Sequence, residues 1–214
     1  MTKVKRGRRY DSSLRKAQAS QTRLRILEVA QQLFAGRGYV ATTMDSIASA
    51  AGVATDTVYA SFGTKAGVLH RLLDVRVGGD DSPVPLLERE GPKAVRVEPT
   101  QRRQVERFAA DVTEILERAR PVDDIMRDAA AVDPEIAALR RRMQQTRYEN
   151  IRQFASGLAA KGPFRAGISE DEAGEIAWTL ASPEVHGLLR RERGWTRDRY
   201  AAWLADTFTR ALLP

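Results

Sequence analysis

The run from Gly38 to Lys65 restricts this chain more than any other part of it. Ile47, Ala48 and Ala51 fall on one face of a short helical stretch that Thr43 can cap, with Asp45 and Ser46 in its first turn. Val58 marks the inner side of a second short stretch over residues 55–60, and Gly52-Val53 separates the two. Helices this short do not persist alone in water, so they must pack on one another and on a neighbour. Small side chains at Ala48 and Ala51 let them cross closely, and Gly52 stands where a left-handed residue would end the first helix. The proportions are those of a helix-turn-helix. Thr55, Asp56, Thr57 and Ala60 remain for the outer face of the second helix, which is narrow enough to enter a major groove.

Helical periodicity continues on both sides. Upstream, Ile26, Leu27, Ala30, Leu33 and Phe34 form one stripe that Gly36 and Gly38 end; downstream, Val68, Leu69, Leu72 and Leu73 follow a cap at Thr64. Residues 78–99 contain four prolines and three glycines and read as a connecting segment with at most short helical turns. Beyond it, residues 101–118 are helical, Pro121 is expected to open a shorter helix, and Asp133-Pro134 a long one to residue 158. Ser169 and Glu172 form a capping box for a stretch that Pro183 should kink or split, and Thr196 caps a last amphipathic helix. No strand-like alternation competes. The expectation is an all-α chain: a basic arm over residues 1–19, a three-helix helix-turn-helix domain over 20–77, and a C-terminal helical domain over 78–214.

Charge is distributed unevenly along this plan. The formal net charge is +7 over 214 residues. Residues 1–20 hold seven basic side chains against Asp11 alone, whereas residues 77–214 carry 22 basic and 23 acidic ones. An excess at one end points to a polyanion there, either nucleic acid or an anionic surface. The basic segment has no apolar side to insert, which excludes a membrane-surface helix, and no apolar run approaches the roughly 20 residues of a membrane span. A cytoplasmic location is expected. Zero cysteines remove disulfides, thiolate nucleophiles and Cys-ligated metals. His70 and His186 are too few and too separated for a metal site or a catalytic triad, and there is no phosphate loop or dinucleotide fingerprint. Neither an enzyme nor a cofactor is expected.

Residues 20–75 closely resemble the signature of TetR-family transcriptional regulators, with agreement at Gly38-Tyr39, Thr42-Thr43, Ile47-Ala48, Ala51-Gly52-Val53, Val58-Tyr59, Phe62 and Lys65. Later residues match in architecture only. The resemblance implies that Thr43, Tyr59 and Lys65 contact DNA phosphates, and that Thr55, Asp56, Thr57 and Ala60 read bases. Arg6, Arg8 and Arg9 suit minor-groove or flanking-phosphate contact.

One such module covers a half-site, so a homodimer on a palindromic double-stranded operator is expected. The last two helical stretches resemble the family's dimerisation pair, with Leu188, Leu189, Trp203, Leu204 and Phe208 as interface candidates. The resemblance also implies a small-molecule effector. Phe108, Ile115, Met126, Tyr148, Ile151, Phe154 and Trp178 are candidates to line its pocket, with Arg147, Asn150 and His186 as polar partners, although apolar residues at this spacing also suit a plain core. The leading reading is a ligand-released repressor; the alternative is a ligand-insensitive regulator or an activator of the same fold.

Overall fold

The computed structural model describes residues 7–214, with side chains from Leu14 onward, and divides into two compact units, one up to Asp74 and one from Val75 to Pro214. Among the described residues there is no strand. In the first unit α1 spans Gly7–Arg37, α2 Met44–Ala51 and α3 Thr55–Phe62; α4, Lys65–Gly78, runs across the division. The apolar stripes behave as their spacing requires: Ile26, Leu27, Ala30, Phe34, Ile47, Ala48, Val58, Val68, Leu69 and Leu72 are all buried. Each large aliphatic side chain so removed from water contributes about 1.5–3 kcal/mol, and that burial, more than propensity, holds eight-residue helices such as α2 and α3 in place.

α1 departs from the expected arm. Its described part runs from Gly7, so residues 7–19 are helical. After Gly7 this segment has neither glycine nor proline and is rich in Arg, Lys, Ala and Gln, which lose little conformational freedom in a helix.

In the second unit a single 3₁₀ turn, Leu86–Glu88, precedes α5 (Glu90–Val97), α6 (Gln101–Ala130), α7 (Pro134–Ala159), α8 (Glu170–Leu180), α9 (Pro183–Gly187), a π-helical turn over Leu188–Glu192, and α10 (Arg197–Leu212). α6 packs on α5, α7, α9 and α10, and α7 packs on α8. Two expectations fail here. The segment over 78–99 contains a full helix, α5, because Pro92 falls in its first turn, where a missing N–H costs nothing. Gly91 lets that helix approach α6 so closely that a Cβ would collide with the Asp111 carboxylate. Pro121 does not open a helix but lies inside α6. It is exposed, while Ala119, Val122 and Met126 on either side are buried and carry the helix through a break that would otherwise cost about 3 kcal/mol.

The expected caps form at Asp133, Ser169 and Thr196, and Pro183 splits the chain into α8 and α9, with Ser182 capping α9. The core of this unit centres on Phe108 stacked on Phe154 at 3.8 Å between ring centroids, with Phe208 at 5.8 Å from Phe108.

Candidate nucleic-acid interface and cavities

Thr43 is the N-cap of α2. Its hydroxyl accepts from Ser46 N at 3.1 Å, and its own N–H donates to Ser46 Oγ at 3.0 Å, a reciprocal capping box. Such a cap contributes about 1 kcal/mol and leaves the first-turn amides of α2 aimed outward. Gly52 ends α2 in the left-handed region at φ 64°, as expected from its position. The turn is then braced by a bond that helical periodicity does not reveal: Thr55 Oγ1 donates to Asp45 Oδ1 at 2.8 Å, across ten residues. Thr55 therefore uses its hydroxyl inside the motif.

Lys65 is placed differently from its expected phosphate contact. Its ammonium donates to the carbonyls of Tyr39 at 2.8 Å and Thr42 at 3.0 Å, with Val40 at 3.4 Å, and lies 4.2 Å from the centroid of the Tyr39 ring. Tyr39 is itself buried against Phe34. The three donors of this one side chain thus close the loop between α1 and α2. Nothing in the sequence marks this role, since every loop has carbonyls to satisfy and the accepting ones here belong to residues 39, 40 and 42.

What α3 presents outward is Asp56, Tyr59 and Ala60, with Thr57 half-buried. Tyr59 is 51% exposed despite its size, so it is no part of the core. Arg6 lies outside the described residues, as do the side chains of Arg8 and Arg9.

Residues 26–72 match the family model described as bacterial regulatory proteins, tetR family. These residues form a DNA-binding domain of the tetR family. No curated protein matches the chain. Among solved structures it is similar to the SmeT–triclosan complex (20% identity, TM-score 0.70, 91% of this chain and 92% of that one). It is also similar to NalD of Pseudomonas aeruginosa, the secondary repressor of the MexAB-OprM multidrug efflux pump (23% identity, TM-score 0.66, 90% and 97%). A third is a Saccharomonospora viridis protein described as a transcriptional regulator, in complex with choline (22% identity, TM-score 0.64, 91% and 99%). At these identities the structures establish a shared TetR-like fold over nearly the whole chain.

The C-terminal unit corrects much of what was expected of its apolar residues. Met126, Ile151 and Phe154 are buried, Phe108 stacks on Phe154, and none of the four is on the lining of the cavity between α7 and α8 or of the one bordered by α5 and α6. Leu204 and Phe208, expected at a dimer face, are fully buried inside the protomer. They sit one helical turn apart on the α10 face that packs on α6, whereas Leu188, at 61% exposure, is open to solvent, and Leu189 and Trp203 are half-buried.

The remaining pocket candidates divide between two open cavities. Tyr148 and Trp178 line one of about 680 Å³ between α7 and α8, and Ile115 lines one of about 340 Å³ bordered by α5 and α6. Among the described residues no helix is long and apolar enough to cross a membrane.

Two of the polar candidates, Arg147 and His186, bond within the protomer. Arg147 donates to Trp178 O at 3.0 Å and Ala181 O at 3.4 Å, capping the end of α8, and burial pushes its guanidinium pKa down to about 10, leaving it charged at neutral pH. His186 is buried, with Nε2 at 2.8 Å from Glu117 Oε1, and burial pulls its pKa down. Glu117, which also accepts from Arg190 Nε and Nη2, is held below the usual carboxylate range, mainly by that arginine. Arg140 reaches Glu184 at 3.1 Å and Asp123 at 3.8 Å.

Proposed function

We propose that this protein acts in the cytoplasm as a homodimeric TetR-family repressor that binds a palindromic operator and releases it when a small molecule binds the C-terminal unit. The observation that carries the DNA-binding half is α3: a helix whose inner residue, Val58, is fully buried while Asp56, Tyr59 and Ala60 face outward. Asp56 suits a cytosine amino group, the methyls of Thr57, Thr55 and Ala60 suit thymine methyls, and Tyr59 with the α2 terminus at Thr43 suits phosphates.

The helical conformation of residues 7–19 shifts the reading of the basic segment. A helix about 10–12 Å across does not enter a minor groove about 6 Å wide, so Arg8 and Arg9 are assigned to phosphates flanking the half-site. For Arg6, outside the described residues, minor-groove and flanking-phosphate contact both stay open. Exposed Leu188, with half-buried Leu189 and Trp203, suits the two-fold interface. The presence of choline and triclosan in complexes of the same fold supports a small-molecule effector.

Gel-shift titration on the DNA upstream of its own gene tests this. Tyr59→Ala is expected to weaken binding about tenfold or more with an unchanged melting temperature. Binding that survives this change intact would remove α3 as the reading helix.

A further inference from the structure

The cavity between α7 and α8 has a chemistry of its own. At about 680 Å³ it falls within the range of small-molecule sites, about 300–1,000 Å³. Trp178 and Tyr148 meet edge to face on its lining, with ring centroids 6.3 Å apart. Donors dominate the rest. Trp178 Nε1 and Arg140 Nε are both buried and have no acceptor in the protein. The Gln144 carbonyl already accepts from Arg147 Nε at 3.0 Å, so its amide group is left to donate. Arg141 adds an exposed guanidinium, and Glu175 is the one acid on the lining.

Two further observations set the sign of the ligand. The Arg147 guanidinium stands 4.6 Å from the centroid of the Trp178 ring, so a cation stacked on the same indole would meet a like charge. The unpaired buried N–H groups call for an acceptor, and a carboxylate fills more donors than a neutral oxygen does. We infer that this cavity binds a small aromatic carboxylate, its ring against Tyr148 and Trp178 and its carboxylate taken by the Trp178 N–H, the Arg141 guanidinium and the Arg140 Nε–H, which the pairing of Arg140 with Glu184 and Asp123 leaves over. As an effector site this rests on the regulatory reading above; as a binding site it stands alone.

The test uses the free full-length protein, with thermal melting and tryptophan emission as readouts. Naphthoate and benzoate are the probes, and naphthalenemethanol and benzyltrimethylammonium the neutral and cationic controls. Naphthoate is expected to raise the melting temperature saturably, benzoate less so, and the controls little or not at all. Trp178→Phe keeps a ring but loses the donor, and Arg141→Gln alters only an exposed side chain; each is expected to weaken naphthoate about tenfold, while the exposed Arg103→Gln on α6 leaves it unchanged. No shift with either carboxylate, an equal or larger shift with a control, or undiminished naphthoate affinity in both variants would overturn the assignment. DNA is absent from this assay. A chain that binds naphthoate but no operator therefore loses the regulatory reading alone, and one that binds operator but no carboxylate loses this ligand class alone.

Discussion

The two units differ in how their working parts are built. In the first, an element of eight residues is specified by its own caps and by bonds to neighbours within about thirty positions, such as Thr55 to Asp45 and Lys65 to the Tyr39 and Thr42 carbonyls. In the second, the decisive contacts join residues 31 to 73 positions apart, among them Arg147 with the Trp178 carbonyl and Arg190 with Glu117. A motif of the first kind can be read along the chain. A cavity or a buried ion pair of the second kind exists only once long helices have been laid side by side.

The contrast can be broken, most sharply at Phe208. If its place is the interior of the protomer, Phe208→Ala should cost about 3–5 kcal/mol in urea unfolding, whereas Leu188→Ala should leave protomer stability nearly unchanged. A Phe208→Ala protein of normal stability but altered self-association would restore it to the interface.

Lys65→Ala is next. It leaves backbone carbonyls without their charged donor, and a loss of about 1.5–3 kcal/mol is expected, in contrast to Tyr59→Ala. If Lys65→Ala instead keeps full stability and loses only DNA affinity, the lysine is a phosphate contact after all.

A third test concerns acid. The native pKa of His186 lies below its ordinary 6.5, so the unfolded chain binds the proton first; stability is full above 6.5 and falls as pH drops through the native value. Glu117, held below its ordinary 4.5, adds a second loss below that pH. His186→Gln should abolish the first loss and keep the second, as followed by melting temperature against pH.

Salt comes fourth: removing residues 1–16 should flatten the dependence of log K on log salt for operator binding, since each phosphate contact contributes a slope of about 0.9. The smallest effect is expected of Thr55→Val, which keeps a methyl at the proposed base contact and drops the Asp45 bond. That exposed bond contributes about 0.5–1.5 kcal/mol, measurable in the melting of the first unit.

Much of the first unit was legible from its residues because its signals are local. Thr43 capping α2, the left-handed Gly52 and buried Val58 each follow from one residue type at one spacing. The role of Lys65 was not legible, since a lysine in a first turn gives no sign of which oxygens it will reach. In the second unit, caps at Asp133, Ser169 and Thr196 were equally plain, but an apolar residue at helical spacing looks the same whether it lines a cavity or fills a core. Phe108, Met126, Ile151 and Phe154 fill the core, while Tyr148 and Trp178 border open space.

By itself, then, the sequence determined an all-α chain, the helix-turn-helix and its caps, and a positive end that suits a polyanion, because hydrophobic period, capping chemistry and charge are properties of neighbouring residues. Only the tertiary structure decided that Pro121 is carried within α6, that Leu204 and Phe208 are interior, and where space remains for a ligand. Those outcomes depend on which helix faces pack together, and packing is settled by shape and burial between residues far apart in the chain.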